Sequence, residues 1–301
     1  AVVTVGFLGV RPHLARAVTV NPSLIGSPMA GSGIAGDPYV ITTCEQLQDV
    51  DSIINDDQYF VYILGNDIDC SGSGGFNSGA GFKPIGSNGS FTGSLDGRNH
   101  SIDNLTITAT DTNGRTALFA HTHTASINNV KILNITVTGT SAADGNGGTA
   151  AVIGYAGDNT TIDRVTVSGD ISSTDCSNSP NVGGIIGVTA PGNTPNFITT
   201  TSSSGNLHVS GTNCSDYTAA VGGLVGNVVG TGTASLEMYN VYSTMDITLE
   251  GNQQTACVSE HCRAVGGLIG VLHSSASSLL INGYSTGGTE IVDNGAVQEY
   301  R

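Results

Sequence analysis

A short apolar block that ends in glycine recurs along the second half of this chain. The blocks are AAVIG at 150–154, VGGIIG at 182–187, VGGLVG at 221–226 and VGGLIG at 265–270, with TALFA at 116–120 as a related fifth. Their last residues are separated by 34, 33, 39 and 44 positions. A repeat of this length indicates a solenoid, in which each unit buries its apolar side only by stacking on the next unit.

Each block is accompanied by a segment in which apolar and polar residues alternate. In NITVTG at 134–139, Ile135 and Val137 share one face while Thr136 and Thr138 share the other. A period of two residues is typical of a β-strand. The paired glycines of the VGG blocks indicate a tight corner or a close backbone approach that leaves no room for a Cβ. We therefore predict an all-β chain folded as a right-handed parallel β-helix.

Hydroxyl side chains recur at intervals of 30 residues near the start of the repeats. They form two series, Thr106–Thr136–Thr166 and Thr108–Thr138–Ser168. Stacked coils are expected to place each series in a ladder on the outer surface. A flat array of hydroxyl and methyl groups makes ice binding one functional alternative, although threonine is also favoured on any solvated strand face.

The segment before the repeats has a different pattern. Its apolar residues Leu47, Val50, Ile53 and Ile54 occur at helical spacing, and Thr43 is suited to cap the helix N-terminus. An amphipathic helix here would cover the open end of the first coil, which is otherwise an adhesive edge. We divide the chain into an extended N-terminal segment (1–36), a capping helix with the first coils (37–115), and the repeat coils (116–301).

The order of these motifs resembles the GLUG-repeat proteins. The resemblance rests on YVITTCEQLQDV, YFVYILGNDID, FKPIG, FTGSLDGRNHSIDNLTI and the repeated VGGLVG or VGGLIG, and it spans about 37–290. It implies a secreted or surface-attached β-helical protein of the kind found in large adhesins. The chain departs from the pattern at TTTSSSGN (199–206). The resemblance implies little chemistry, because the matching residues are structural glycines and core aliphatics.

The composition excludes several function classes. Lys and Arg number 9 against 24 Asp and Glu, so the formal net charge is −15 and a basic nucleic-acid binder is excluded. Hydrophobic residues make up 38% of the chain and recur regularly, which is unlike a disordered acidic tail. No stretch reaches the 18 or so apolar residues of a membrane-spanning helix, so we expect no membrane span.

Six cysteines in a weakly charged chain favour an oxidising, extracellular location, although six cysteines permit fifteen pairings. Cys176 lies seven residues before Gly183, and Cys214 lies eight before Gly222, so we predict a Cys176–Cys214 disulfide between coils. Cys257 and Cys262 are close enough to close a small loop, which leaves Cys44–Cys70 by elimination. Six Asn-x-Ser/Thr sequons are candidate glycosylation sites and begin at Asn88, Asn99, Asn104, Asn134, Asn159 and Asn213.

Residues 1–10, AVVTVGFLGV, allow two interpretations. Ala15-Arg16-Ala17 has the small-x-small form of a signal-cleavage site, which makes this segment a signal remnant. Alternatively, the segment is mature and forms a strand that packs on a neighbouring molecule. The second interpretation assigns assembly to Val2, Val3, Val5, Phe7, Leu8 and Val10.

Two pairs of polar residues are candidates for chemistry. Asp67 and Asp69 share a strand face, as a Ca²⁺ site or an acid/base pair requires, but a solvated or capping role is favoured. His121 and His123 could bind a transition metal from one face, but no third ligand is evident in the sequence. We therefore predict no cofactor and leave weak Ca²⁺ binding open.

Basic residues are scattered along the chain, and a surface this acidic repels a polyanionic substrate. We therefore predict that the chain is not an enzyme but an extracellular structural module. Its expected role is as a subunit of a surface fibre that self-associates through the N-terminal strand. One alternative is an adhesin that binds glycans or a cell surface through the insertions 140–148, 172–181 and 252–264. Others are ice binding and a glycoside hydrolase that uses Asp67 and Asp69 on neutral glycans.

Overall fold

Parallel strands stack in about five turns of a β-solenoid, the fold class predicted from the repeats. The computed structural model describes residues 25–53, 59–108, 110–140, 147–174, 180–210, 219–230, 235–250, 264–273, 276–293 and 296–300. The helices are α1 (Cys44–Ile53) and the four-residue α2 (Phe76–Gly79), which follows a 3-10 turn at Ser73–Gly75. Neither described helix has the length and apolar content needed to cross a membrane.

The strands in chain order are β1 (Tyr39–Ile41), β2 (Val61–Leu64), β3 (Ile68–Asp69), β4 (Ser94–Asp96), β5 (Ser101–Asp103), β6 (Thr106–Ile107), β7 (Phe119–Thr122), β8 (Ser126–Gly139), β9 (Thr149–Ala150), β10 (Ile153–Ala156), β11 (Thr161–Ser173) and β12 (Asn181–Gly183). They continue with β13 (Ile186–Thr189), β14 (Asn196–Thr199), β15 (Ser202–Val209), β16 (Ala220–Gly222), β17 (Val225–Val228), β18 (Leu236–Glu250), β19 (Ala264–Gly266), β20 (Ile269–Leu272), β21 (Ser278–Ser285), β22 (Thr289–Asp293) and β23 (Ala296–Tyr300).

The strands form three sheets that run along the solenoid. The largest has 14 strands and a main path of β1-β2-β4-β8-β11-β14-β18-β22-β23. The other two follow β7-β10-β13-β17-β20 and β9-β12-β16-β19. Every pairing between these strands is parallel except that of β22 with β23. The large sheet crosses position 115 without a break, because β4, β5 and β6 all pair with β8.

The apolar blocks stack in the register predicted from their spacing. Phe119 pairs with Ile153, Ile153 with Ile186, Ile186 with Val225, and Val225 with Ile269. The first four of these side chains are at most 1% exposed. The repeat therefore corresponds to one turn of the solenoid, and its apolar positions form a continuous inner row.

The VGG glycines lie where neighbouring backbones approach closely. A Cβ added at Gly222 would lie 2.0 Å from the carbonyl oxygen of Val225 in the same block and 2.6 Å from the amide nitrogen of Gly270 in the next coil. One added at Gly223 would lie 2.1 Å from the carbonyl oxygen of Gly267, also in the next coil. Real side chains do not reach such distances, so any other residue would force the coils apart. This confirms the predicted reason for the paired glycines.

The predicted hydroxyl ladders are wrong beyond their first step. Thr106 pairs with Thr136 as expected, but Thr136 pairs with Asp170, while Thr166 pairs with Lys131. In the second series, Thr138 pairs with Ser172 and not with Ser168. The coil between β8 and β11 is 34 to 35 residues long, and its register shifts by one residue between Val167 and Gly169.

The actual outer row contains charged and amide side chains. It runs from Thr136 through Asp170 and Asn206 to Asp246. An amide nitrogen of Asn206 donates to a carboxylate oxygen of Asp170 at 2.7 Å. The regular threonine array on which the ice-binding alternative depends is therefore missing from this row.

Helix α1 covers the N-terminal end of the stack. Its Leu47 and Val50 are buried in the same apolar cluster as the inner residues of the coils. Thr43 caps the helix as predicted, because its hydroxyl accepts a hydrogen bond of 3.3 Å from the Gln46 amide. The predicted Cys44–Cys70 disulfide is present and ties the start of α1 to the first coil.

Replacement of a stacking glycine tests the close-approach explanation. We expect Gly222→Ala to lower the free energy of unfolding by about 3 kcal/mol, because the added methyl group must displace the Val225 backbone. Gly72→Ala is the matched control, since Gly72 has helical φ and ψ angles and nothing lies within 4 Å of its added Cβ. Urea unfolding of both variants measures the difference, and equal stabilities would contradict the explanation.

Candidate functional site

A polar cavity of about 620 Å³ opens on the outer side of the first coils. Its lining comes from residues 86–90, Thr92, the turn residues Thr112, Asn113 and Arg115, and the histidines His121 and His123. Strand β7 carries His121 on its outer face, because its neighbours Ala120 and Thr122 are buried. The cavity brings together one arginine, two histidines and two asparagines.

Residues 86–90 form one wall because they bulge out between two fixed points. Ile85 forms a bridge with Phe119, and Phe91 forms a bridge with Thr122. Only two residues lie between Phe119 and Thr122, whereas five, GSNGS, lie between Ile85 and Phe91. The longer segment is therefore displaced outwards beside the outer face of β7.

Asp51 of α1 fixes the start of this wall through hydrogen bonds. One carboxylate oxygen accepts hydrogen bonds from the Gly86 amide at 2.9 Å and the Ser87 amide at 3.2 Å, and the other lies 2.6 Å from Nζ of Lys83. The Asp51 side chain is only 4% exposed. The capping helix therefore also positions the cavity, a role that its sequence did not indicate.

The two histidines singled out in the sequence, His121 and His123, both line the cavity. Nδ1 of His121 lies 3.0 Å from the Ser90 hydroxyl, and the His121 ring packs edge-on against Tyr155 at 5.2 Å. Within the described ranges, no three His, Cys, Asp or Glu side chains are close enough to share a metal ion. The geometry therefore places His121 in the wall of a polar cavity, between Ser90 and Tyr155.

Sequence reasoning missed Arg115 and its two partners. The Arg115 guanidinium lies over the Tyr155 ring, 4.7 Å from its centroid, and its NH1 atom is 3.8 Å from Oδ2 of Asp111. The other Asp111 oxygen accepts hydrogen bonds from the backbone amides of Asn113 and Arg115. A turn thus fixes Asp111, and Asp111 and Tyr155 together fix the arginine. The Asp-x-x-x-Arg spacing was the one available signal.

Asp67 lies in the connection between β2 and β3, and Asp69 is the last residue of β3. Neither lines this cavity. Asp67 accepts hydrogen bonds from the Ser101 amide at 2.9 Å and from His100 at 3.1 Å. Asp69 accepts from the Asn104 amide group and from Ser71. Each carboxylate is therefore engaged in joining neighbouring coils.

These hydrogen bonds also determine how the two carboxyl groups titrate. The Ser101 amide, followed by His100, lowers the pKa of Asp67, and the Asn104 amide group, followed by Ser71, lowers the pKa of Asp69. A glycosidase general acid has a raised pKa, so the direction of these two shifts lends no support to the hydrolase alternative, which stays a prediction.

Asp158 has a similar connecting role beside His123. Its Oδ1 accepts three hydrogen bonds from the successive backbone amides of Gly192, Asn193 and Thr194, at 2.7, 2.8 and 3.2 Å. These bonds, that of Asn193 foremost, lower the pKa of Asp158 despite partial burial. The carboxylate therefore anchors the 192–194 loop of the next coil.

Five of the six sequon asparagines lie in the described ranges, and all five are exposed. Four of them have left-handed backbone φ angles between 52° and 65°, namely Asn99, Asn104, Asn134 and Asn159. The fifth, Asn88, lines the cavity. Their glycosylation stays a prediction.

Several predicted features lie outside the described residues. They are the assembly residues Val2, Val3, Val5, Phe7, Leu8 and Val10, the cysteines Cys176, Cys214, Cys257 and Cys262, and the sequon at Asn213. Most of the insertions 140–148, 172–181 and 252–264 also lie there. The two disulfides and the loop-binding alternative therefore stay predictions.

Comparison with known proteins adds two similarities. No family model matches the chain, so the GLUG-repeat resemblance stays a prediction. The chain is 35% identical over 176 residues to Halomucin from Haloquadratum walsbyi, and the match covers 56% of this chain but 2% of Halomucin. It is also similar to the crystal structure of a putative immunoglobulin A1 protease from Bacteroides ovatus, with 21% identity, a TM-score of 0.58, and coverage of 90% of this chain and 81% of that one.

The two similarities differ in what they establish. The structural neighbour shows the β-solenoid fold and, at 21% identity, nothing about activity. The shared segment is a small fraction of Halomucin, so the function of that whole protein does not transfer. The comparisons therefore support the β-solenoid fold of this chain.

The lowered pKa of Asp158 predicts a loss of stability in acid. A carboxylate whose folded-state pKa is below its unfolded value of 3.8 stabilises the fold above that value, and the contribution disappears as the pH falls through the folded-state pKa. We therefore expect the free energy of unfolding to decline below about pH 4. Asp158→Asn should flatten part of this decline, as measured by urea unfolding between pH 5 and pH 3. Parallel pH profiles for the two proteins would contradict the assignment.

Proposed function

We propose that this chain is a non-catalytic structural module of an extracellular surface and that it self-associates into a fibre. In this assembly, the apolar N-terminal segment of one copy adds as a strand to the last coil of another copy. The observation that carries the proposal is the exposed apolar side of that last coil. Two of its inward positions, Leu280 and Leu272, are open here, whereas their partners one coil earlier are buried.

Strand β21 contains the exposed residues. Leu279, Leu280 and Ile281 are 44–45% exposed, although Leu280 pairs with Met238, which is fully buried one coil earlier. Leu272 of β20 is likewise 50% exposed, while its partner Val228 is fully buried. The inner apolar rows thus reach this end of the described solenoid without a cover, and such patches mark interaction surfaces.

The backbone of β21 offers the matching hydrogen bonds. Among the described residues, β21 pairs only with β18, whereas the outer edge of β22 is taken by β23. An eight-residue edge is therefore open to an added strand. Residues 1–10 supply a segment of comparable length that is rich in β-branched and apolar residues. Addition of an extended segment to an exposed edge is a common recognition mode.

The two ends of the solenoid are different, which favours linear growth. Helix α1 covers the N-terminal end, and the apolar edge lies at the other end. Contact between two different surfaces of identical copies does not close on itself after one step and generates filaments or rings. The similarity to part of Halomucin supports placement on an extracellular surface.

Removal of residues 1–20 tests the proposal. We expect the full chain to associate with rising concentration and the truncated chain to remain a folded monomer, as measured by analytical ultracentrifugation and electron microscopy. Leu279→Lys should also prevent association, because it places a charge at the receiving edge. Ile34→Lys is the control, since Ile34 is 61% exposed and precedes the capping helix.

Two results would contradict the proposal. One is association of the truncated chain at the same concentrations as the full chain. The other is a full chain that stays monomeric at all concentrations, which would leave the apolar edge to a further coil of a longer polypeptide. In the supporting case, a synthetic peptide of residues 1–10 binds the truncated chain and not its Leu279→Lys variant.

A further inference from the structure

The lining of the polar cavity contains no acidic side chain, in contrast to the rest of the chain. The whole chain carries 24 acidic and 9 basic side chains. The residues that line the cavity include one arginine and two histidines but no aspartate or glutamate. The remaining lining side chains are hydroxyls and amides, and its volume of about 620 Å³ lies within the usual range of roughly 300 to 1,000 Å³ for small-molecule sites.

Arg115 has hydrogen-bonding capacity that the fold does not use. Its Nε atom and Oδ2 of Asp111 are both buried without a hydrogen-bond partner. The approach of NH1 to Asp111, 3.8 Å, is too long for a hydrogen bond, although the opposite charges still attract. Arg115 nevertheless lines the cavity, so a ligand with acceptor oxygens would meet a guanidinium whose hydrogen bonding within the fold is incomplete.

The fold holds this arginine in a fixed orientation before any ligand arrives. Its guanidinium stacks on Tyr155, its side chain is only 12% exposed, and Asp111 is itself held by two backbone amides. On the other side, Asp51 fixes the start of the 86–90 wall. Binding therefore requires little ordering of the protein, which favours affinity.

We propose that this cavity binds a sugar unit that carries a carboxylate. Arg115 faces the carboxylate, because a planar guanidinium matches the two carboxylate oxygens better than any other side chain. The hydroxyl and amide groups of Ser87, Asn88, Thr112 and Asn113 contact the hydroxyl groups of the sugar. The site is independent of fibre assembly, since it lies on the first coils and not at the β21 edge.

The composition of the cavity favours this ligand over two other classes. An apolar ligand would leave the hydroxyl and amide groups without partners, which is costly. A metal cation would lie beside the Arg115 charge with no carboxylate among the lining residues. A neutral sugar could use the hydroxyl and amide groups but would leave Arg115 unfilled, so it serves as the comparison ligand.

The experiment compares glucuronate with glucose, which differ by a carboxylate at one carbon atom. The full chain is produced in a bacterial host so that no glycan is attached at Asn88, and binding is followed by NMR titration. We expect glucuronate to bind at least tenfold more tightly than glucose, a ratio equivalent to about 1.4 kcal/mol. Arg115→Gln should reduce the affinity for glucuronate by a similar factor.

A second variant covers the case in which Arg115→Gln disturbs the turn. Asn88→Asp adds one negative charge to the exposed cavity rim with almost no change in shape, and it should weaken glucuronate binding several-fold. Asn134→Asp is the matched control, because Asn134 is an exposed asparagine at a corner of the large sheet and outside the cavity. It should leave the affinity unchanged.

The proposal is overturned if glucose binds as tightly as glucuronate or if neither sugar binds. It is also overturned if glucuronate binding survives both Arg115→Gln and Asn88→Asp, or if Asn134→Asp weakens it as much as Asn88→Asp. None of these outcomes depends on whether the chain forms fibres, so the result is separate from the test of assembly.

Discussion

In-register stacking of parallel coils is the constraint on which the rest of the structure depends. A single coil of about 35 residues cannot enclose its own apolar side chains, so Ile153 is buried only because Phe119 and Ile186 lie directly on either side of it. Burial of each such side chain contributes roughly 1.5–3 kcal/mol, and the contribution exists only within the stack. Glycines such as Gly222 keep the coils close enough for this packing. The apolar side chains at each end of the stack lack a neighbouring coil on one side and therefore need a separate cover.

The same constraint leaves the length of each coil free. The stacked blocks are 33 to 44 residues apart, although their paired positions are equivalent. The surplus residues leave the coil as outward loops, and lengthening a loop costs little free energy. The 86–90 bulge illustrates this, because its flanking residues Ile85 and Phe91 keep their bridges to the next coil. The solenoid can thus carry a polar cavity without any change to its inner rows.

The difference between the constrained inner rows and the unconstrained outward loops explains which features the sequence could predict. Backbone contact at the VGG blocks admits only glycine, so their spacing identified the true register. The solvated face imposes no such restriction, and the 30-residue spacing of Thr136 and Thr166 consequently had no structural meaning. The cavity was beyond prediction for a related reason. It requires Arg115, Tyr155 and the 86–90 bulge to meet, and their proximity depends on the path of loops whose sequences are weakly constrained.

The sequons show that a fold can produce Asn-x-Ser/Thr motifs for structural reasons that have nothing to do with glycosylation. At a coil corner the backbone enters the left-handed region, which asparagine tolerates better than most residues. Asn129, Asn240 and Asn282 occupy such corners with φ angles of 52–56° and belong to no sequon. Where a strand starts just after the corner, the second residue points outwards and is often threonine, as in Asn104-Leu105-Thr106. Corner geometry and strand alternation alone therefore produce Asn-x-Thr. The number of sequons does not measure glycosylation here, and our proposal of extracellular placement rests instead on the Cys44–Cys70 disulfide and the similarity to part of Halomucin.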